Sequence, residues 1–459
     1  MSGADQSLRP LLAQLKAAER LALVKEPVDP MTDLAAVALK IREELRRASL
    51  FDLVKDANGW RVAAQCLTNR ADWSLALGHS QALLLSALGS RIAGKIEPTE
   101  IAPTTAPVTA EHLGVDLPIP QAAERDSGPQ MVAVAIAQDP ATGRDCLGLT
   151  RHRWLSDGHF SVQNLSPSLQ KIRQAHRAAG TPMPLALVSG AHPAVLLAAA
   201  LGTWMPADLS LAGSLMGEPI RVFRGAQDLL IPADAEFVLE GDISAYETCD
   251  PGLLATVFGT YQEEHRSPIF VQHGSSQRTD PIFHTLHLGG PGDYAGALCL
   301  AAEILVAQHI RNIEGGIDFI DISCPPVAGG LALVLKLRAR MEGQAKTALM
   351  GTLSGIANWA KFAIAVDEDV DIQDLRDVFW SSASRTHAEK DVGMIDGLRA
   401  LASDIGSPAD AESGERLATR WFIDSTMPPL SQTKAREDFA RAIPKNLSET
   451  DLAAFLPRK

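Results

Sequence analysis

Two blocks of the chain carry carboxylates where a plain core strand would carry none: Leu230-Ile-Pro-Ala-Asp-Ala-Glu-Phe-Val-Leu-Glu-Gly241 and Ala360-Lys-Phe-Ala-Ile-Ala-Val-Asp-Glu-Asp-Val-Asp371. In the second, Phe362 to Val366 reads as a buried strand running into Asp367, Glu368, Asp369 and Asp371. Carboxylates just past a strand can cap the helix that begins near Ile372. They can also line a crevice at the carboxyl ends of a sheet; capping is the simpler reading. In the first block, alternation sets Ala235, Phe237 and Leu239 on one face and Glu236, Val238 and Glu240 on the other, as in a barrel strand with a wet outer face. Upstream, Leu147-Gly-Leu-Thr-Arg151 is a third strand pattern, and it ends in a cation.

These strands belong to a chain of 459 residues, too long for one core, so two or three domains are expected. A net charge of −13 argues against a nucleic-acid or anionic-membrane partner, either of which needs clustered Lys and Arg. Five scattered cysteines (Cys66, Cys146, Cys249, Cys299, Cys324) form no C-x-x-C pair, which fits a reducing compartment and no structural zinc. Met1 to Val24 interleaves charges with Leu and Ala and lacks a signal-peptide core. The most apolar run, Pro193 to Met205, is too short to cross a bilayer. A soluble, cytoplasmic protein is expected. With no G-x-G-x-x-G after a strand, no Walker A, no H-E-x-x-H and no G-x-S-x-G, the nicotinamide, nucleoside-triphosphate, zinc-protease and serine-hydrolase readings have no local support.

Three textures of sequence must position the candidate residues. Residues 8 to 50 read as two amphipathic helices. Ser49-Leu-Phe-Asp-Leu-Val and Trp60-Arg-Val-Ala-Ala-Gln-Cys read as strands, and Arg70 to about Lys95 as helices, an α/β start. Glu97 to Ala110, with Pro98, Pro103 and Pro107, reads as a linker. From about 115 short strands prevail, at Met131–Ala137, Asp145–Thr150, Pro184–Ser189, Ile220–Phe223 and Ala235–Leu239, with single helices such as Ser168 to Ala179 between them. That is the texture of a split barrel. Pro291 to Arg311 is one long apolar helix that bridges to a last domain. There, strands at Gly316–Asp321 and Phe362–Val366 alternate with helices over Leu331 to Met341 and Ile372 to Ala383, a βαβ arrangement. The stretch after Ser403 is polar and is expected on the surface.

Taken together the blocks resemble the UbiD family of reversible decarboxylases, which use prenylated flavin mononucleotide (prenylated FMN). The likeness runs from about Ala48 to Arg385. It includes Ala235-Glu-Phe-Val-Leu-Glu-Gly-Asp-Ile with Glu247-Thr248, Leu211-Ala-Gly-Ser-Leu-Met-Gly217, Thr279-Asp-Pro-Ile-Phe-His284, and Lys361 through Val378-Phe-Trp380 to Arg385. The resemblance implies an α/β (α+β) fold: an N-terminal α/β domain over 1–115, a flavin-reductase-like split β-barrel that binds cofactor over 116–295, and a C-terminal α/β domain with its linking helix over 296–459, used for oligomerisation.

In that family a strand of the type Asn-Ile-Gly-x-Tyr-Arg supplies a metal-ligating Asn, backbone contacts to the flavin and a catalytic Arg. Here Cys146-Leu-Gly-Leu-Thr-Arg151 stands in its place. The match implies that Leu149, Thr150 and Arg151 touch the cofactor and that Arg151 is the fixed cation for a carboxylate; the alternative is a surface salt bridge. Cys146 replaces the Asn, and a thiol is a poor ligand for a hard manganese ion. For the family's next ligand, a His, only His159, Gln163 and Asn164 lie near the expected place. The third, a Glu, falls at Asp208, with Glu218 as a neighbouring alternative. Lys361 matches the lysine expected on the cofactor phosphate. Metal binding is therefore expected to be weaker than the family pattern, or absent. The family's two catalytic acids map to Pro251, with Asp250 beside it, and to Thr256 or Thr260. A threonine cannot deliver a proton as a carboxylic acid can. Asp250 is the nearest candidate donor; Glu263 and Glu264 follow, where a solvated turn is the plainer reading.

The reading that follows is a decarboxylase acting on an aromatic or α,β-unsaturated carboxylic acid, or its thioester. Prenylated FMN would serve as electron sink, with Mn2+ and K+ as the ions the resemblance implies. The alternative is a non-catalytic subunit or repurposed homologue that has lost this chemistry. The expected partners are the small carboxylic acid, a second copy of the chain in a homodimer or larger ring, and a flavin prenyltransferase as cofactor supplier.

Overall fold

The computed structural model describes residues 4–455 apart from 58, 105, 108–116, 157, 314–316, 402, 403, 405, 409–414, 452 and 453. Arg9–Ala17 (α1) has Pro10 in its first turn, where no amide is lost, and buries Leu11, Leu12 and Leu15. Leu21–Val24 (β1) follows at once and pairs in parallel with Ala48–Phe51 (β2). The expectation of two helices over 8 to 50 is corrected here: a strand lies between α1 and Leu34–Leu45 (α2). Leu-Ala-Leu-Val is too short to show a helical period, and its sheet partner lies far along the chain. Arg61–Ala64 (β3) is antiparallel to β2. Arg70–Leu77 (α3) starts at Asn69, whose side chain accepts from the Asp72 amide, and ends at Gly78 with φ of 68°. Gln81–Arg91 (α4) completes this part.

The middle of the chain folds into a closed barrel. Its elements are Gln130–Gln138 (β4), Asp145–Ser156 (β5), His159–Ser161 (β6), Pro167–Ala179 (α5), Met183–Ser189 (β7), Pro193–Leu201 (α6), Leu209–Met216 (α7), Phe237–Cys249 (β8), the hairpin Gly252–Ala255 (β9) and Tyr261–Glu264 (β10), and Ser267–Gln277 (β11). Six strands run in the order β8-β7-β4-β5-β6-β11, and β8 pairs with β11 to close the wall. Phe160, Phe237 and Phe270 fill the interior with Ala133, Ala135 and Leu239. All nine residues of α6 are buried, so the most apolar run of the chain is a core helix. It covers the outer face of the barrel, where Val238 joins its cluster.

On the same outer face, α1 overturns the wet environment expected at Glu236. The residue is fully buried: its two oxygens accept from Arg9 Nε at 2.6 Å, Arg9 Nη2 at 2.9 Å and the Ile282 amide at 3.1 Å. Glu236 thus ties α1 to the barrel. Glu240 is partly exposed and accepts from the Ala226 amide.

Ile282–Thr285 (β12) leaves the barrel and becomes the fourth strand of the first sheet, parallel to β3. The long helix is present as Asp293–Arg311 (α8). It packs so close to the first domain that a Cβ on Gly296 would collide with the Leu67 carbonyl. Arg70 pins the same junction, bonding Glu303 of α8 at 2.9 Å and Asp321 at 2.6 Å.

The last sheet contains Asp318–Ser323 (β13), Ala332–Arg338 (β14), Phe362–Val366 (β15), Val392–Arg399 (β16) and Leu417–Ser425 (β17), in the order β13-β14-β15-β17-β16. β14, β15 and β17 are parallel and the two edges antiparallel. Two expectations fail here. Leu331 to Met341 is not a helix but the strand β14, apolar on both faces because it is internal; the helix follows as Gln344–Ser354 (α9). The polar stretch after Ser403 contains β17, an internal strand; its exposed Leu417 and Thr419 diluted the pattern. The acidic run takes structural roles. Asp367 is buried against Arg436 and the Met427 amide, Asp369 pairs with Arg385, and Asp374 caps Leu375–Arg385 (α10).

Candidate active site

Arg151 lies on β5 opposite Val132 of β4, and its backbone exchanges hydrogen bonds with Gln163. Its side chain is 5% exposed. Nη1 donates to the Ala255 carbonyl at 2.8 Å and Nη2 to Glu264 Oε1 at 3.2 Å. The β9–β10 hairpin presents both partners, and Asp126 fixes it by accepting the Ala255 amide at 2.6 Å. Burial pushes the Arg151 pKa down against the pull of Glu264. Burial lifts the Glu264 carboxyl above its ordinary value, with Arg151 and His265 opposing. His287 donates from Nε2 to the Ala255 carbonyl at 3.1 Å. Burial, with the Arg151 charge, holds it near 3, so it is neutral at pH 7. Tyr294, at the start of α8, completes the group. Its hydroxyl accepts from Asn164 Nδ2 at 3.5 Å, and burial raises its pKa.

Tyr294 also lines a cleft of about 260 Å³ between the barrel and the last domain. Leu149, Asn164, Phe258, Trp204, Trp359 and the Gly329-Gly330 turn are among its walls. The indoles of Trp204 and Trp359 lie 4.5 Å apart, tilted by 36°. An apolar slot with aromatic walls suits a planar ring system. A second cleft of about 500 Å³ is lined by Lys95, Arg144, Asp145, Cys146, Lys171 and Asp208, among others. The two adjoin along the chain. Ser166 and Pro167 face the first cleft and Ser168 the second; Thr203 and Trp204 face the first and Met205 and Pro206 the second.

The second cleft fits a phosphate better than it fits a metal. Cys146 is buried among Leu169 and Ile172, and burial lifts its thiol to about 11, so it stays protonated. Asp208 is the N-cap of α7: Oδ1 accepts from Ser210 Oγ at 2.6 Å and the Leu211 amide at 2.8 Å, while Oδ2 lies 3.4 Å from Lys95 Nζ. Burial works to raise Asp208, but these donors outweigh it and hold the carboxyl low. Asp145, missed in the sequence, faces the same cleft with Oδ1 buried and unpartnered; burial, then Asp208, lifts it to about 6. His159, Gln163, Asn164 and Glu218 do not line this cleft. The residues present do not make the ligand set of an Asn, a His and a Glu.

The remaining expected residues separate. Thr150 is buried and bonded to His152 Nε2 at 2.7 Å. Lys361 lines neither cleft; its ammonium pairs with Asp404 Oδ1 at 3.0 Å. Asp250 is exposed just before the hairpin, accepts the Arg266 amide at 2.8 Å and does not meet Arg151. Thr256 and Thr260 bond each other at 3.0 Å. Of the carboxylates weighed for the missing acid, it is Glu264 that reaches the guanidinium. Tyr294, His287, Trp204, Lys95 and Lys171 carried no sequence signal beyond their residue types.

Models of the 3-octaprenyl-4-hydroxybenzoate carboxy-lyase family match in all three of its parts: the N-terminal domain over 12–92, the Rift-related domain over 95–291 and the C-terminal domain over 297–424. The chain belongs to the UbiD family. Membership makes it an enzyme of the carboxy-lyase class. Among solved structures, the UbiD-class enzyme HmfF from Pelotomaculum thermopropionicum, in complex with FMN, is similar at 25% identity and TM-score 0.88, over 98% of this chain and 100% of that one. The 3,4-dihydroxybenzoic acid decarboxylase AroY of Klebsiella pneumoniae shares the fold at 23% identity and TM-score 0.86, over 98% and 99%. Vanillic acid decarboxylase of Sedimentibacter hydroxybenzoicus does so at 22% and TM-score 0.81, over 97% of each chain. Among the described residues of this UbiD member, no helix is long and apolar enough to cross a membrane.

Proposed function

We propose that the protein decarboxylates an aromatic or α,β-unsaturated carboxylic acid, or its thioester, in the cleft between barrel and C-terminal domain. The observation that carries the reading is the buried Arg151 paired with the half-buried Glu264 at 3.2 Å, beside Tyr294, which lines an apolar interdomain cleft. Leu149, Trp204 and Trp359 would flank the ring of a bound prenylated FMN. When bound, that group supplies the electron sink for the departing carbon dioxide. Arg151 binds and orients the substrate carboxylate, displacing Glu264 from its guanidinium. Glu264, its carboxyl already raised by burial, then holds the proton that the substrate carbon must receive. His287 stays neutral and keeps the Ala255 carbonyl in place. Thr150 acts through its backbone position on β5, since its hydroxyl is taken by His152.

Mn2+ and K+ enter no step, because Asp208 alone among the family's ligand positions keeps an oxygen donor at the second cleft. Asp250 is assigned no role in proton transfer, and Lys361 none on the ring. A flavin prenyltransferase would supply the cofactor in the cytoplasm, and a second copy of the chain would pack on the C-terminal domain. Protein co-expressed with a flavin prenyltransferase should release carbon dioxide from at least one furan, hydroxybenzoic or cinnamic-type acid. A loaded protein inert to all three classes would return the reading to a non-catalytic homologue.

A further inference from the structure

We infer that the phosphate end of the flavin is held in the second cleft by three side-chain cations, Lys95, Arg144 and Lys171, with no divalent metal between phosphate and protein. The inference rests on the flavin reading above and deepens it.

A metal bridge to phosphate needs oxygen ligands with free lone pairs. At this cleft the family's Asn position is held by Cys146, a buried thiol that offers no oxygen, and no His is among the lining residues. Asp208 is already engaged by protein donors. One oxygen caps α7 through the Leu211 amide and Ser210, and the other has the Lys95 ammonium 3.4 Å away. A cation thus stands beside Asp208, but it belongs to the protein. Lys171, in the second turn of α5, and Arg144, just before β5, bring two more positive charges to the same space. Lys and Arg bind phosphate directly by charge-assisted hydrogen bonds, with no metal needed. Ser168, in the first turn of α5, adds a hydroxyl to the wall.

Placement agrees with this. Ser166–Ser168 and Thr203–Pro206 separate the two clefts, so a ring in the aromatic slot would have its phosphate tail in reach of the cationic one. Lys361, which the family resemblance puts on the phosphate, is engaged with Asp404 and lines neither cleft. Both halves of the family's phosphate bridge are therefore replaced in this chain. The cleft also holds Asp139 and Asp145. Asp139 is tied into its own turn by the Ala141 amide at 2.9 Å, whereas one oxygen of Asp145 has no partner. Asp145 with Asp208 is the pair that could take a divalent ion instead, and the test is built to find it.

The experiment titrates the full-length protein with FMN and with riboflavin, which lacks the phosphate, reading flavin fluorescence in EDTA and again in MnCl2. Metal content is measured in parallel by mass spectrometry. The expected result is that in EDTA FMN binds at least ~10-fold tighter than riboflavin, and Mn2+ changes neither affinity by more than about twofold. Lys95→Met and Lys171→Met should each weaken FMN roughly tenfold and leave riboflavin unchanged, which also shows that the variants are folded. FMN that binds no better than riboflavin would overturn the cradle while leaving the flavin reading intact. So would full FMN affinity in both lysine variants. Stoichiometric Mn2+ lost in Asp145→Asn, with FMN affinity following the metal, would replace the cradle by a carboxylate metal site. Protein that binds neither flavin would overturn both readings.

Discussion

Replacing Glu264 by Gln tests the proton donor with little change of shape. The Glu264 oxygen lies 3.2 Å from a guanidinium that is 5% exposed. The gross attraction at that distance is about 5 kcal/mol at an effective dielectric constant near 20. Much of it offsets the cost of burying Arg151 and partly burying Glu264, and Gln keeps an oxygen that can accept from Arg151. The Ala255 carbonyl continues to satisfy Nη1. The net loss of stability should therefore be about 1–2 kcal/mol. The loss of a general acid is worth more, roughly 10²–10⁴-fold in rate, or about 3–5 kcal/mol of barrier. The two effects separate in one preparation: carbon dioxide release is measured with saturating cofactor while melting is followed on the same sample. The pH profile supplies a second readout. Activity that needs protonated Glu264 declines as pH rises through its raised pKa, and Glu264→Gln should flatten that limb. Asp250→Asn and Glu263→Gln should stay within about twofold of the parent, since neither carboxylate meets Arg151. A Glu264→Gln enzyme with full turnover, or a 10²-fold loss in Asp250→Asn, would refute the assignment.

Glu236→Gln should destabilise the protein by about 2–3 kcal/mol, because Arg9 loses its charged partner at a fully buried site; an unchanged melting temperature would show that α1 docks without it. Gly296→Ala should cost about 3 kcal/mol or more, or abolish soluble expression, since the new methyl would meet the Leu67 carbonyl; scanning fluorimetry decides it. Burial depresses His152 and His287 to about 3 and His192 to about 4, so below the ordinary histidine pKa the unfolded chain binds protons the folded chain cannot. Stability is therefore lost as pH falls from 7 towards 5, by about 2 kcal/mol per histidine at pH 5, less about 1 kcal/mol from Asp145, which titrates in the opposite sense. A melting temperature that rises over that interval would contradict these burials.

Sequence periodicity reported elements whose two faces differ and those whose neighbours are local. The alternation in Ala235–Leu239 located a barrel strand, and the long, largely apolar helix pattern before Arg311 located α8. It misjudged β14, which is apolar on both faces, and β17, whose exposed Leu417 and Thr419 obscure its internal place in the sheet. It also misjudged the environment of Glu236. From the strand pattern alone, a carboxylate flanked by Ala and Phe points outward to water. What the pattern cannot contain is that α1, more than two hundred positions away, covers that face with Arg9. Burial of a charge is a tertiary fact, and it left no mark on the local sequence.

The site divides along the same line. Arg151 is singled out through the family resemblance, whose strand pattern it matches, and in the structure its buried guanidinium pairs with the half-buried Glu264. The proposed acid was not legible, since its place beside Arg151 is set by the hairpin and not by spacing. In an antiparallel ladder Glu264 stands opposite Gly252 and projects to the guanidinium, whereas Asp250 sits beyond the hairpin strand, in solvent. Adjacent carboxylates such as Glu263 and Glu264 fall on opposite faces of a strand, so one reaches the site and the other cannot. At the second cleft, where the thiol of Cys146 stands at the family's Asn position, the charge is set by residues that no motif includes: Lys95 from the chain after α4, Lys171 from α5 and Asp145 at the start of β5. In a divergent member of a family, the chemistry of a site is carried by which side chains the fold turns towards it, and a substitution at one motif position can be answered from another element altogether.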